Sequence, residues 1–165
     1  MTASTWVVAA EPFDSATAAQ LWRAYYTEVS DRWYRLHENR ATDPAELERE
    51  IAAVQGHEFA PPRGVLLVGR LDGEAVGTAG VHLLDAATAE LKRVFVRADM
   101  RGKGGAALLV AAAEDAAREL GAEQIVLDTR RDLVEARALY ARLGYQESAP
   151  HNDQPYAQCW YRKKV

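Results

Sequence analysis

One cysteine, two methionines and three phenylalanines stand in 165 residues, and each scarcity excludes something. A lone Cys159 cannot close an internal disulfide and has no metal-type neighbour, so a disulfide scaffold is excluded and a reducing compartment is expected. No apolar run approaches the roughly 20 residues that span a bilayer, and Met1–Thr5 lacks the basic-then-apolar pattern of a secretory leader. No long basic run occurs and the net charge is −4, which disfavours nucleic acid as a partner. The four histidines are scattered without paired ligand spacing, so no metal site is expected, and His82 reads first as a structural strand residue. What is present is ordinary for a soluble globular domain: 48% hydrophobic and 27% charged residues. These features together lead us to expect a single cytoplasmic domain over residues 1–165, a monomer or homodimer with no membrane or nucleic-acid partner.

Hydrophobic periodicity orders the chain. Thr5–Ala10 is a short β-prone run, and from Asp14 a helical spacing carries Leu21, Trp22, Tyr25, Tyr26 and Val29, continuing with a break to Leu36. Asp43, Pro44 and Glu46 form a capping signature for a second helix with Leu47, Ile51 and Val54 as its buried stripe. Val65–Leu71 and Glu74–Leu84 flank Asp72-Gly73, a pair suited to a tight hairpin because both central positions need positive φ. A strand over Ala89–Val96 follows, then an Ala-rich helix from Gly102 to Leu120 and a short strand over Gln124–Asp128. Asp132 and Glu135 would cap a helix running to Leu143, and strands over Tyr145–Ser148 and Ala157–Lys164 close the chain. The class is a mixed α/β (α+β) sheet with helices.

Arg101-Gly102-Lys103-Gly104-Gly105-Ala106-Ala107 lies between a strand and a helix. A helix start offers unpaired N–H groups and the positive dipole end, and glycines let a phosphate approach the backbone. A tight turn with solvated cations accounts for the same residues. A P-loop fails for want of a Lys-Ser or Lys-Thr at the required spacing. A dinucleotide fingerprint, G-x-G-x-x-A, is formally present over Gly102–Ala107 but follows antiparallel-type hairpins rather than a first βαβ strand.

The stretch Glu90–Ala106, with Arg101, Gly104 and Ala106 matching R/Q-x-x-G-x-G/A, resembles the central motif of the GNAT acetyltransferase superfamily. Ala136, Leu139, Tyr140, Gly144 and Tyr145 are similar to a second family segment, A-x-x-L-Y-x-x-x-G-F, at the right separation. The resemblance implies a mixed sheet of about seven strands flanked by about four helices. It implies an acetyl-CoA-dependent N-acetyltransferase acting on a primary amine of a small molecule or peptide, without a metal. On that footing Val94, Phe95 and Val96 would hold the pantetheine arm, and backbone N–H groups of Gly102, Lys103, Gly104, Gly105, Ala106 and Ala107, with Arg101 beside them, the pyrophosphate. Glu90 would be the base acting through water, a Val94-region N–H the oxyanion donor and Tyr140 the acid. Many members carry an Asn where Leu133 stands; Arg130 or Arg131 would replace its contact. The acceptor side would involve Tyr26, Trp33, Tyr34 and His82, with acidic and aromatic groups suited to a cation. An inactive acyl-CoA-binding module on the same fold is the alternative, and retention of Glu90 and Tyr140 favours the enzyme.

Overall fold

The computed structural model describes residues 4–165; Met1–Ala3, the start of the segment read above for a leader, lie outside them. The elements run β1 (Trp6–Glu11), α1 (Ala16–Glu38), α2 (Pro44–Ala53), β2 (Gly64–Leu71), β3 (Glu74–Leu83), β4 (Thr88–Val96), α3 (Gly105–Glu119), β5 (Gln124–Thr129), α4 (Val134–Arg142), β6 (Gln146–Glu147) and β7 (Cys159–Lys164). They form a mixed α/β fold with a 7-stranded sheet of order β1-β2-β3-β4-β5-β7-β6. β1 to β4 pair antiparallel, and among the described residues only β4 and β5 run parallel, over Thr88–Glu90 against Gln124–Val126. That pattern rules out the doubly wound sheet a dinucleotide loop would need.

Local chemistry explains most boundaries. Asp72 and Gly73 both take positive φ, 51° and 88°, so the β2–β3 turn has the expected form. Ser15 accepts the Ala18 N–H at 3.0 Å to start α1, and Asn39 ends it in the left-handed region. The expected break in α1 does not occur, because residues 16–38 contain neither Gly nor Pro to cause one. Asp43 accepts the Glu46 N–H at 3.1 Å, as its spacing predicts. The Leu47–Ile51–Val54 stripe, however, is only half-buried, since α2 lies at the periphery against α1.

Two helix starts differ from expectation. Gly102 and Gly104 adopt φ of 79° and 83°, which no α-helix contains, so α3 begins at Gly105 rather than Gly102. Asp132 does not cap α4; its carboxylate takes Arg130 at 2.9 Å, and Leu133 stands at the N-cap without a side-chain bond.

The sheet is apolar on both faces because helices cover both. Leu67, Val81, Leu91, Ile125 and Leu127 pack against Leu109, Val110 and Ala113 of α3. On the opposite face Leu66 joins Ala18 and Trp22 of α1 and Phe59. The alternation of Leu66 and Leu67 between the two clusters is the period-2 signature of a strand buried from both sides.

Candidate functional site

β4 and β5 stay paired only as far as Glu90 and Val126. Beyond that point β4 continues along β3 to Val96, while β5 continues along β7 to Thr129. The strands part, and a cleft of about 420 Å³ opens between them, lined by Leu91–Val96, the glycine loop, Tyr25 of α1, Asp128 of β5, and Leu133, Leu139 and Tyr140 around α4. β4 also carries a bulge facing this gap. Lys92 lies opposite Gly80 and Phe95 opposite Thr78, so β4 has one residue more than β3 between those pairs. Arg93 absorbs the kink at φ 56°, and Thr78 Oγ1 donates to its carbonyl at 2.9 Å. Such a bulge leaves its extra residue outside the regular ladder, at the edge of the cleft.

The loop is a backbone cradle held from outside. Gly104, at the N-cap of α3, gives no side-chain bond to the helix, so the first-turn N–H groups stay open to a ligand. Gly105 must lack a Cβ because one there would run into the Trp6 ring, and Trp6 Nε1 donates to the Lys103 carbonyl at 2.9 Å. Arg101 bonds the Val96 carbonyl at 2.8 Å and Glu28 at 2.6 Å, fastening the loop to β4 and α1. Arg97 is engaged by Asp99 and Glu74, whereas exposed Lys103 makes no ion pair among the described residues.

Glu90 lies where the strands begin to part, 7% exposed. His82 Nε2 sits 3.0 Å from its Oε1 and His151 Nε2 3.0 Å from its Oε2. Asn152 Nδ2 reaches the same Oε2 at 3.4 Å and donates to Asp128 at 2.7 Å, while Trp160 Nε1 fixes the Asn152 carbonyl at 3.0 Å. Burial alone would raise the Glu90 pKa; the hydrogen bonds from His82 and His151, with the charge of Lys92, outweigh it and bring the carboxyl down to about 2. One ligand-type atom each of Glu90, Asp128 and His151 lie within 4.8 Å of one another, but each of the three is engaged in this hydrogen-bonded chain. Tyr140 is buried beside Tyr145 and Tyr161 and lines the cleft. Burial first, then the nearby Tyr25 and Asp128, raises its phenol well above the ordinary range, so its proton stays on at neutral pH.

The acceptor-side aromatics separate. Tyr26 walls a second cavity of about 290 Å³ with Trp22 and Gln55, beyond Arg93. Trp33 stacks on His37 at 3.9 Å and meets Tyr156 edge-on, and Tyr34 bonds Glu46 across α1 and α2; neither lines the cleft. Arg130, 8% exposed, is tied to Asp132 and the Val29 carbonyl, so it does not replace the missing Asn, and Leu133 itself lines the cleft. Arg131 gives its backbone N–H to Gln158. Arg93 and Asp128 had no acceptor-side role in the sequence reading, and Tyr25, His151 and Asn152 belonged only to the two stretches expected on that side, without an individual role. No spacing rule joins residues such as Glu90 and His151, which lie 61 apart in the chain.

Three kinds of similarity agree with this geometry. The family described as Acetyltransferase (GNAT) family matches residues 18–145. An uncharacterised N-acetyltransferase of Schizosaccharomyces pombe is 32% identical over 108 residues, 64% of this chain and 66% of the relative. One from Escherichia coli is 34% identical over 91 residues, 53% of this chain and 54% of the relative. The chain thus spans less than two-thirds of the length of either. Among solved structures, the PaiA N-acetyltransferase of Thermoplasma acidophilum, in complex with coenzyme A, superposes with a TM-score of 0.70 at 14% identity, covering 98% of this chain and 99% of that one.

Proposed function

The chain belongs to the GNAT acetyltransferase family, and on that premise we propose that it moves an acetyl group from acetyl-CoA to a primary amine. The observation that carries this reading is the cleft itself: a strand pair that parts at Glu90, a bulge at Arg93 and an uncapped, glycine-led helix start meet around one space. The coenzyme A bound to the Thermoplasma relative supports the same ligand here.

In this reading the pantetheine arm lies along Val94–Val96 as an added strand, and the pyrophosphate rests on the N–H groups of Gly102–Ala107. Acetyl-CoA supplies the thioester. The acceptor nitrogen, once neutral, attacks the carbonyl carbon, and the bulge N–H near Val94 meets the developing oxyanion. The C–S bond then breaks, Tyr140 gives its proton to the departing sulfur, and the extra proton on the new amide nitrogen restores the phenol.

Deprotonating the amine is the demanding step. A Lys-like ammonium has a pKa near ~10.4, so moving its proton to a carboxylate at about 2 climbs roughly eight units, about 11 kcal/mol. An imidazole is a far stronger base than such a carboxylate and takes the proton with a smaller climb. Glu90 therefore works through the histidines it holds: the proton passes to an imidazole, and the Glu90 carboxylate stabilises the imidazolium. This keeps Glu90 in the proton path and moves His82 from substrate contact to proton acceptance.

The test is release of free CoA thiol on mixing the protein with acetyl-CoA and a panel of amines, alongside thermal shift with acetyl-CoA and with NAD. Amine-dependent release and stabilisation by acetyl-CoA are expected. Stabilisation by NAD alone would sink the reading.

A further inference from the structure

Among the described residues, four buried side-chain nitrogens lack a hydrogen-bond partner, and three of them belong to one place: Trp22 Nε1, Arg93 Nε and Arg93 Nη1. Arg93 stands at the bulge, lines the cleft, and has only 8% of its side chain exposed. Its guanidinium carbon lies 4.3 Å from the Trp22 ring centre, 5.1 Å from that of Phe59 and 5.9 Å from that of Tyr26. Rings meet the charge across their π-faces and offer no lone pair to in-plane N–H groups. Arg93 Nη2 already donates to the Gln55 carbonyl at 2.6 Å. A buried cation with unmet donors is a costly arrangement unless an acceptor arrives.

Charge counting points the same way. Lys92 also lines the cleft, and it shares one carboxylate with Arg93: Glu58 Oε1 is 3.4 Å from Lys92 Nζ and 3.6 Å from Arg93 Nη2. Among the described residues Glu58 is the one carboxylate that forms an ion pair with either cation, so Arg93 has only a shared counter-ion. The β5 wall has the opposite sign, for Asp128 lines the cleft with Asn152 as its hydrogen-bond donor and makes no ion pair among the described residues. The acceptor space thus has a cationic end and an anionic end.

We propose that the acetyl acceptor is an amino acid, a small molecule carrying a carboxylate beside its amine, with the carboxylate bound by Arg93 and Lys92 and the amine turned toward Asp128 and the Glu90 cluster. The proposal rests on the acetyl-transfer reading and narrows its substrate. A carboxylate supplies the acceptor atoms the Arg93 donors lack and gives the two cations that share Glu58 a second anionic partner. The ammonium end finds anionic oxygens and the imidazoles that take its proton.

The experiment compares side-chain-matched pairs in which one member is the decarboxylated form of the other: leucine with isopentylamine, phenylalanine with phenethylamine, lysine with cadaverine. Wild-type protein and acetyl-CoA are used throughout, and free CoA thiol is followed. The expected result is at least a tenfold higher kcat/KM for the carboxylate member of the active pair, expressed mainly in KM. Equal or reversed preference overturns the proposal while leaving acetyl transfer standing. Absence of transfer to every member also overturns it; if acetyl-CoA then gives no thermal stabilisation, the acetyl-transfer reading falls as well. Arg93→Gln is expected to shrink the preference to about twofold or less, and a preserved preference overturns the assignment to Arg93. Should Arg93→Gln fail to fold, Glu58→Gln serves: freeing both cations lowers KM severalfold for the carboxylate acceptor alone. An unchanged or raised KM contradicts the proposal.

Discussion

The two walls of the cleft are built on different principles. The side formed by Val94–Val96 and the Gly102–Ala107 loop is made of main chain: a strand left without a neighbour, a bulge, and a helix start with no cap. Its side chains mainly hold it in place, as Trp6 does through the Lys103 carbonyl and Arg101 through Val96 and Glu28. The proposed acceptor side is made of side chains from distant segments, with His82, Glu90, Asp128, His151, Asn152 and Trp160 joined in one hydrogen-bonded chain. A backbone site tolerates many side chains but few changes of conformation; a side-chain site responds in the opposite way. Substitutions on the two sides should therefore separate binding from chemistry.

The largest effect is expected at Glu90. Glu90→Gln should lower kcat by about 10²–10⁴ with acetyl-CoA affinity unchanged, because it removes the anion that supports imidazole as a base. Equal losses in affinity and turnover would erase the distinction between the walls. Tyr140→Phe should follow with a loss of about 10² in kcat and little change in acetyl-CoA affinity, read by steady-state kinetics and calorimetry. Unchanged turnover would remove Tyr140 from the mechanism. Gly104→Val acts on the other wall: at φ 83° a β-branched residue is strained, and the acetyl-CoA Kd should rise about tenfold or more. Lys103→Ala should weaken acetyl-CoA by only about two- to threefold, and less as salt rises, because the charge is exposed.

Acid stability sharpens the comparison from another direction. The Glu90 carboxyl is depressed in the folded state to about 2, against an ordinary value of 4.5. A depressed carboxyl contributes stability that is fully present above the unfolded value and is lost as pH falls toward the folded one. The wild-type advantage over Glu90→Gln should therefore decline from pH 4.5 to pH 2, an effect on the order of 3 kcal/mol measured by urea unfolding. An advantage independent of pH would mean that the two histidines do not hold the ionised form.

The same division explains what could be read from the sequence. The main-chain wall is legible because conformational demands leave marks in local order: Asp72-Gly73 for the hairpin, and Gly102, Gly104 and Gly105 for a loop that must turn and admit a ring and a ligand. The mixed sheet and the family resemblance followed from such local signals. Competition among polar groups left no local mark: Asp132 has the spacing of a cap, yet Arg130 takes its carboxylate. The side-chain wall was legible at Glu90 and Tyr140 through motif position, and at His82, expected on the acceptor side and found against Glu90. His151 sits in the polar β6–β7 segment, and nothing in its neighbours says that β7 will bring it to Glu90. Tyr34 shows the converse, an aromatic in a suggestive stretch whose hydroxyl is engaged between two helices.

In the proposed function, backbone N–H groups at the parted strand and the glycine loop grip acetyl-CoA. Backbone amide chemical shifts of the labelled protein, followed by NMR during titration with acetyl-CoA, address it most directly. The prediction is that the largest changes fall on Val94–Val96 and Gly102–Ala107. Changes that bypass both segments, or equal changes there with NAD, would contradict it.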